Sequence, residues 1–304
     1  MADANAAALG YIAEVTWGVT PSSALATLRF NSESLQDQEE ATESAELLSD
    51  RQLRDVIKTG RFSQGDISGE LSIGTLDTLL EGVLADDWST NVLENGSTKK
   101  SFTFEKQIAV TGTPSTHYLT YKACRLDTLD LVFPTSGVIT YTLGIMGKHS
   151  IGAAATAGSG AYTAAGVTEP LASDQVVVTE ASADPGDVRS LSINLTNNLR
   201  RQMALGDTDP IGFGYGGFRA SGVLELYFAD RDLYDKYVAE TKTELEAVVT
   251  SGATSYTFTV PKARWGVPVI NLEGVNGDIF ASFPWTGTKD AGGTDNTISV
   301  TRVV

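Results

Sequence analysis

The side chains best suited to chemistry are few in this chain and lie far apart. His117 and His149 are its only histidines, and Cys124 is its only cysteine. Neither histidine comes with a nucleophile and an acid in a recognisable order, so the sequence indicates no Ser/His/Asp triad. One cysteine and two scattered histidines do not form a metal-ligand set. The sequence therefore predicts a protein that is not an enzyme and that uses no metal or cofactor.

A glycine-rich run at residues 212–217 formally matches the G-x-G-x-x-G pattern of dinucleotide-binding turns. That pattern binds phosphate when a strand precedes it and a helix begins directly after it. Here an alternating, strand-like pattern follows the glycines. We therefore interpret the run as turn chemistry, for which glycine is the usual residue.

The charge balance argues against a second group of functions. The chain has 304 residues and a formal net charge of −16. Proteins that hold DNA by its backbone use Lys and Arg to displace counterions, so we expect no specific DNA binding. No apolar run approaches the roughly 18 residues that a membrane helix needs, so no membrane partner is predicted. The single cysteine excludes an internal disulfide framework.

The elements that these residues belong to are mostly strands, and one unit recurs. Apolar and polar residues alternate over residues 66–73, and apolar residues then follow helical spacing over 76–84, with Thr75 as the predicted N-cap. Residues 216–238 repeat this order, with Gly222 at the place of Gly69. We predict a mainly β protein with two tandem antiparallel β-sandwich or barrel domains, each carrying one short α-helix.

Composition divides the chain into four parts. We predict an N-terminal arm over residues 1–20, a first β domain over 21–148, a linker rich in small residues over 149–187, and a second β domain over 188–304. Within the first domain, residues 33–50 are crowded with acids and offer little to bury. They are predicted to form a long exposed loop, either simply solvated or a contact surface.

Several short stretches carry a resemblance to a known family. They are residues 14–21 (EVTWGVTP), 28–30, 33–35, 49–52, 65–70 (GDISGE), 274–279 and 283–286 (FPWT). Together they resemble the tail tube, or major tail, proteins of long-tailed bacteriophages. The resemblance covers most of the chain and is strongest in the strand-and-helix unit at 60–84.

The resemblance implies a structural virion protein. Subunits of this family join their inner sheets into a barrel, and the rings stack into a hollow tube through which DNA passes during ejection. The implied partners are further copies of the chain and the tape measure, tail terminator and distal tail proteins, with DNA only in passing. The implied location is the phage tail, after assembly in the host cytoplasm. An acidic lumen suits this role, because like charge prevents DNA from adhering.

Two tube-like domains in one chain lead to a prediction about the ring. The simple family pattern has one domain per chain and six chains per ring. Two domains per chain predict a trimeric ring with pseudo-sixfold symmetry. A hexamer is the alternative if the internal repeat is a coincidence.

Two sets of residues are candidates for the tube surfaces. The candidate lumen-facing residues, for which an outer solvated face is the alternative, are Asp66, Ser68, Glu70 and Glu225. The candidate contacts between rings, for which ordinary surface charge is the alternative, are Glu33, Asp37, Glu39, Glu40, Glu43, Glu46, Asp50, Arg51 and Arg54.

The aromatic residues allow a different class of function. The chain has four tryptophans, Trp17, Trp88, Trp265 and Trp285, and ten tyrosines. The alternative is therefore a β-sandwich adhesin or carbohydrate-binding module, although such aromatics more often serve a core or an interface.

Overall fold

The chain is mainly antiparallel β-sheet with two short helices, as the sequence predicts. The computed structural model describes residues 2–46, 52–110, 116–272, 277–293 and 295–304. The strands up to residue 153 are β1 (Ala2–Glu14), β2 (Ala26–Leu28), β3 (Ser32–Glu33), β4 (Gln36–Glu43), β5 (Val56–Glu70), β6 (Val92–Glu94), β7 (Ser101–Val110), β8 (Thr116–Phe133), β9 (Thr140–Gly147) and β10 (Ser150–Ala153). The later strands are β11 (Val176–Glu180), β12 (Val188–Thr196), β13 (Arg200–Gln202), β14 (Gly212–Gly214), β15 (Arg219–Tyr227), β16 (Lys242–Ser251), β17 (Thr254–Trp265), β18 (Val269–Asn271), β19 (Phe280–Gly287) and β20 (Ser299–Val303). The helices are α1 (Asp77–Leu84) and α2 (Asp232–Val238).

One sheet runs through both halves of the chain, and we call it the long sheet. Its antiparallel order is β3 and β4, then β5, β9, β8, β12, β15, β19 and β18. The two halves meet where β8 pairs with β12, from Thr128 opposite Thr196 to Phe133 opposite Leu191. The described strands at the two ends of the long sheet do not pair with each other, so this chain alone does not close a barrel.

A second layer covers the inner face of the long sheet. It contains β1, β7, the first part of β8 and β10 from the first half, and β11, β16, β17, β20 and β6 around the second half. Phe133 of the long sheet and Phe258 of the second layer meet edge to face, with ring centroids 6.1 Å apart. Because apolar residues alternate along each strand, the two layers bury one continuous core.

The strand pairings of the second half follow the same order as those of the first. The matching pairs are β1–β7 and β11–β16, β7–β8 and β16–β17, β8–β10 and β17–β20, β8–β9 and β17–β19, and β5–β9 and β15–β19. This correspondence supports the predicted internal repeat. The division into two tandem domains stays a prediction, because the long sheet and the core join both halves.

Two glycines hold matching places in this scheme. Gly69 lies opposite Tyr141, and Gly222 lies opposite Trp285. A Cβ atom at Gly69 would stand 2.6 Å from the Tyr141 hydroxyl oxygen. A Cβ atom at Gly222 would stand 2.7 Å from the Trp285 ring and overlap the carbonyl oxygen of Ser192. Each glycine therefore lets an aromatic ring lie flat across its strand.

We expect Gly222→Ala to lower the free energy of unfolding by about 3 kcal/mol, because neither the Ser192 backbone nor the Trp285 ring can move far in a packed sheet. The matched control is Gly217→Ala, where the new Cβ atom would meet no described atom within 4 Å. Urea unfolding of both variants checks this. Equal unfolding midpoints would show that the strand accommodates a side chain at position 222.

The segment predicted as an N-terminal arm differs in the structure. Strand β1 pairs with β7 at residue 2 and, after a shift in register, from residue 7 to residue 14, and it also pairs with β2. The Glu14 carboxylate accepts hydrogen bonds from the backbone N–H groups of Gly18 and Ala123 and from the Ser101 hydroxyl, at 2.7, 2.8 and 2.7 Å. The small side chains of this segment gave no signal of this pairing, because its hydrogen bonds come from the backbone.

The segment predicted as a linker also differs. Its first residues form β10, and we call residues 154–172 the strap, because they cross the second layer and reach the end of β5. Leu171 is fully buried; its N–H donates to Leu71 and its carbonyl accepts from Ile139, both at 2.8 Å. The later residues of the same segment form β11, which pairs with β16.

Both predicted helices are confirmed, with one difference at an end. Helix α1 begins at Asp77 and its N-cap is Leu76, without a side-chain cap. The Thr75 hydroxyl instead donates to the carbonyl of Ser72 at 2.9 Å. Five residues of α1, Leu79, Leu80, Gly82, Val83 and Leu84, are buried, in line with the apolar stripe of the sequence.

Candidate functional site

The outer face of the long sheet is polar, and we call it the polar face. Residues directly opposite each other on neighbouring strands share a face, so the register carries this surface from strand to strand. One row consists of Ser68, Thr142, Asp130, Asn194 and Ser221. The row crosses from the first half to the second without a break.

Two further rows extend the polar face. One contains Glu70, Thr140, Val132, Ser192 and Val223, and the other contains Ser190, Glu225, Ser282 and Val269. The four residues predicted from alternation to face a lumen, Asp66, Ser68, Glu70 and Glu225, thus lie on one face of one sheet. Whether that face lines a lumen stays a prediction.

Side chains on the polar face hydrogen-bond across strands. Asn194 donates to Asp130 at 2.7 Å, and the hydroxyl groups of Ser68 and Thr142 are 3.1 Å apart. Glu225 accepts from the Ser190 hydroxyl at 3.2 Å and forms an ion pair with Arg189 at 3.3 Å. The surface therefore consists largely of short hydroxyl side chains, held in place by their neighbours.

The charges of the polar face are sparse and mostly negative. Its carboxylates are Asp66, Glu70, Asp130 and Glu225, and its arginines include Arg189 and Arg219. Sequence reasoning missed Asp130 and Asn194. Asp130 stands between Leu129 and Leu131, so alternation along this stretch would have placed it on a polar face. Only the pairing of β8 with β12 shows that this face continues into the second half.

A long hairpin extends from the first half, and it is formed by β4 and β5. The stretch predicted as an acidic loop over 33–50 is here a strand from Gln36 to Glu43, paired with β5 as far as Val56. Acidic side chains on both faces of an exposed strand give no hydrophobic period, so the sequence did not show this strand. Asp50 and Arg51 lie outside the described residues.

The candidate inter-ring residues mostly bind partners within the chain. Glu33 pairs with Lys106 at 2.6 Å, Asp37 accepts from the Ser150 N–H at 2.7 Å, and Glu40 pairs with Arg201. Nearer the tip, the ion pairs Glu39–Lys58 and Glu46–Arg54 each span 2.5 Å, and Glu43 is exposed opposite Val56. Exposed pairs of this kind contribute only about 0–1 kcal/mol, so they hold the tip weakly.

Residues of the second half contact the base of this hairpin and hold it in place. The Arg201 guanidinium on β13 lies 3.9 Å from the centre of the Phe62 ring. Arg61 donates from Nε to Asp209 at 2.8 Å and from its backbone N–H to Thr208 at 2.9 Å. Nearer the tip, Leu53, Val56 and Ile57 are about half exposed. The hairpin thus has a fixed base and a tip that presents apolar side chains to solvent.

Comparison with known families decides the class of the protein. The sequence profile of a family described as phage tail tube protein matches residues 4–287, nearly the whole chain. The chain belongs to the phage tail tube family. Its role is therefore structural, as a virion component that assembles into a tail tube with other tail proteins. A search of curated proteins finds no match.

The tryptophans of this tail tube family member do not form an open sugar-binding platform. Trp265 and Trp285 are each 2% exposed and belong to the core. The Lys148 ammonium covers the Trp17 ring at 4.4 Å, and the Arg302 guanidinium covers the Trp88 ring at 4.1 Å. Stacking on a sugar requires a free ring face, so these contacts weigh against the carbohydrate-binding alternative.

Other kinds of site find little support in the part of the chain that the structure describes. There, His, Cys, Asp and Glu form no group of three or more that could hold a metal ion. Among the same residues, no helix is long and apolar enough to cross a membrane. Cys124 is fully buried, and burial raises the pKa of its thiol.

Proposed function

We propose that this chain forms trimeric rings that stack into the hollow tail tube, with the polar face turned to the lumen. The observation that carries the proposal is the long sheet, which has one apolar face and one polar face, and whose two end strands do not pair with each other among the described residues. Open sheet edges bind other strands unless they are covered, and a closed ring covers them all. Three copies, each with two similar sets of strand pairings, supply six units around the ring.

Electron microscopy of the purified protein tests this function against its alternative. A tail tube protein is expected to appear as rings or hollow tubes, and to show no affinity on a glycan array. A protein that stays monomeric at high concentration and binds glycans would overturn the proposal in favour of an adhesin or carbohydrate-binding module.

We assign contacts between stacked rings to the tip of the β4–β5 hairpin. Its exposed Leu53, Val56 and Ile57 offer apolar area, and Glu43, Glu46 and Arg54 offer weakly held charges. Asp50 and Arg51 remain proposed members of this surface. The acids near the base of the hairpin, Glu33, Asp37 and Glu40, bind partners within the chain. We therefore expect them to orient the hairpin rather than to contact another ring.

The polar face is suited to DNA passage because it offers little for DNA to bind. Hydroxyl groups held by their neighbours and scattered carboxylates give phosphates no cationic partner except the few arginines. We expect the tape measure, tail terminator and distal tail proteins to be the other partners of the tube. Assembly in the host cytoplasm belongs to the same proposal.

A charge reversal tests the lumen assignment. We expect tubes of the double variant Glu70→Lys/Glu225→Lys to retain DNA at low salt and to release it as salt rises, because each new cation displaces counterions from phosphate. The control is Glu169→Lys/Glu240→Lys, which adds the same charge at exposed positions off the polar face. Glu70→Lys alone keeps the Arg189–Glu225 pair and should show a weaker effect.

The measurement is DNA retained by assembled tubes over a salt series. Retention by the double variant equal to that of the control would contradict the assignment of the polar face to the lumen. Retention that does not fall with salt would also contradict it, because phosphate contacts are salt-dependent.

A further inference from the structure

The long sheet ends in two strands whose outer edges pair with no strand among the described residues. At one end lies β18, bonded only to β19. Around it Val267 and Leu272 are 68% and 78% exposed, and Val269 is 53% exposed. A strand edge with apolar side chains in water is a site where another strand adds. This end of the long sheet therefore presents a strand edge that no described strand covers.

The other end of the sheet has a groove beside its edge. The groove runs between residues 7–9 of β1 and residues 27–31, and Glu70 lies at its border. Ser32 and Glu33 pair with Ser68 and Ile67 of β5 on their inner side. Their outer side faces away from the long sheet. An extended segment fits a groove that has a free strand edge along it.

The junction inside the chain shows how two such ends combine. Strand β12 holds the place in the second half that residues 28–33 hold in the first. In the second half Ile193 lies opposite Gly222, and in the first half Ser32 lies opposite Ser68, which is next to the matching glycine, Gly69. The outer edge of β12 is occupied by β8. The apolar residues at this junction, Leu129, Leu131, Leu191, Ile193 and Leu195, are at most 2% exposed.

The internal junction is also locked by a buried amide. The Asn197 side chain donates to the carbonyl oxygens of Val83 and Leu126, both at 2.9 Å, and its backbone N–H donates to Asp127 at 2.8 Å. Pairing thus removes an apolar edge from water and satisfies its backbone groups. The two ends of the long sheet would bury their apolar residues and satisfy their backbone groups in the same way by pairing with a second copy of the chain.

We infer that the β18 segment, residues 266–272, of one copy adds antiparallel to residues 29–33 of the next copy, beyond the Leu28–Leu9 pair of β2 with β1, so that the junction between chains follows the β8–β12 junction within the chain. The inference rests on the proposed ring. It names the two strands that a ring of this chain joins, and the occupant of each edge is a second copy of the chain.

Single cysteines on separate molecules test this junction. Asn31 donates to Glu70 and so lies toward the polar face, as Val269 does in the row with Ser282. Asn31→Cys protein is mixed with Val267→Cys, Val269→Cys or Asn271→Cys protein before assembly, and disulfide-linked dimers are then measured. Opposed residues on paired strands lie within disulfide reach. The native Cys124 is fully buried and does not compete.

We expect at least one of these three mixtures to give a dimer that mixing Asn31→Cys with Val177→Cys does not give. Val177 is 60% exposed on β11, away from the long sheet. Rings without any of the three dimers would overturn the junction and leave the proposed function standing. Wild-type protein that forms no rings would instead count against the proposed function.

A charge variant gives an independent readout. Val267→Lys/Leu272→Lys is expected to abolish rings while the circular dichroism of the folded chain stays unchanged, because both side chains are exposed. The control Val167→Lys/Val177→Lys alters two side chains that are 97% and 60% exposed, and it should still assemble. Equal ring formation by both variants would contradict the inference.

Discussion

Replacing Asp77 with alanine should lower the free energy of unfolding by about 3 kcal/mol, because it leaves two largely buried donors without their acceptor. Asp77 lies in the first turn of α1. Its carboxylate accepts the Tyr256 hydroxyl of β17 with one oxygen and the Arg302 guanidinium of β20 with the other. One carboxylate of the first half thus holds two strands of the second.

The surroundings of Asp77 explain the size of this effect. Tyr256 is fully buried, and its hydroxyl oxygen also accepts from the Gly74 N–H at 2.8 Å. Burial, followed by the nearby Asp77 carboxylate, raises the pKa of Tyr256, so its hydroxyl remains a proton donor. Arg302 in turn lies over the Trp88 ring, whose Nε1 donates to the Asp77 carbonyl at 3.1 Å.

Urea unfolding checks the prediction, with Asp87→Ala as the matched control. Asp87 also pairs with a lysine, Lys100, but its side chain is 72% exposed, so its loss should cost no more than about 1 kcal/mol. Tyr256→Phe removes one of the two hydrogen bonds to the Asp77 carboxylate and also the bond from the Gly74 N–H, and it should cost about 1–2 kcal/mol. If Asp77→Ala unfolds at the same urea concentration as the control, the contacts of Asp77 with Tyr256 and Arg302 do not join the two halves.

The second large effect is expected at Glu105, which is fully buried on β7. Its carboxylate accepts from the hydroxyls of Thr120, Thr156 and Tyr162 at 2.6, 2.5 and 2.9 Å, and from the Ala157 N–H at 2.7 Å. Three of these four donors belong to the strap. A buried carboxylate without such donors would be costly, so the strap and Glu105 stabilise each other.

Glu105→Ala should therefore lower the free energy of unfolding by about 3 kcal/mol and release the strap, because three strap donors lose their acceptor. Limited proteolysis reports the second effect as early cleavage between residues 154 and 166. The control, Glu169→Ala, removes an exposed acid of the same strap and should change neither readout. An uncleaved strap in Glu105→Ala would mean that contacts such as Leu171 hold it alone.

Strands with a buried face could be predicted from the sequence. Leu129, Leu131 and Leu195 alternate with polar residues and are all buried in the structure. The stripe over 76–84 likewise predicts α1. These elements carry their own signal, because the period of the apolar residues matches the geometry of a strand or a helix.

The elements that the sequence did not show lack an apolar period of their own. Strand β4 is acidic on both faces and is held by pairing with β5. The strap is built mostly of small residues, largely Ala and Gly, and its order depends on a buried acid some fifty residues earlier in the chain. Such order comes from contacts distant in sequence, which composition does not reveal.

The candidate site divides in the same way. Alternation along β5 and β15 placed Asp66, Glu70 and Glu225 on polar faces, and the structure brings these faces together. The union of the faces depends on β8 pairing with β12, a contact between the two halves that no local pattern specifies. The ion pairs of the hairpin acids, such as Glu40 with Arg201, likewise join residues far apart in the chain.

The mass of an isolated ring, measured by native mass spectrometry, tests the central claim most directly. The chain has a mass of 32.2 kDa, and the long sheet with its two open ends predicts a ring of three chains. A ring of six chains would contradict the pseudo-sixfold trimer, because each chain would then supply one unit of the barrel instead of two.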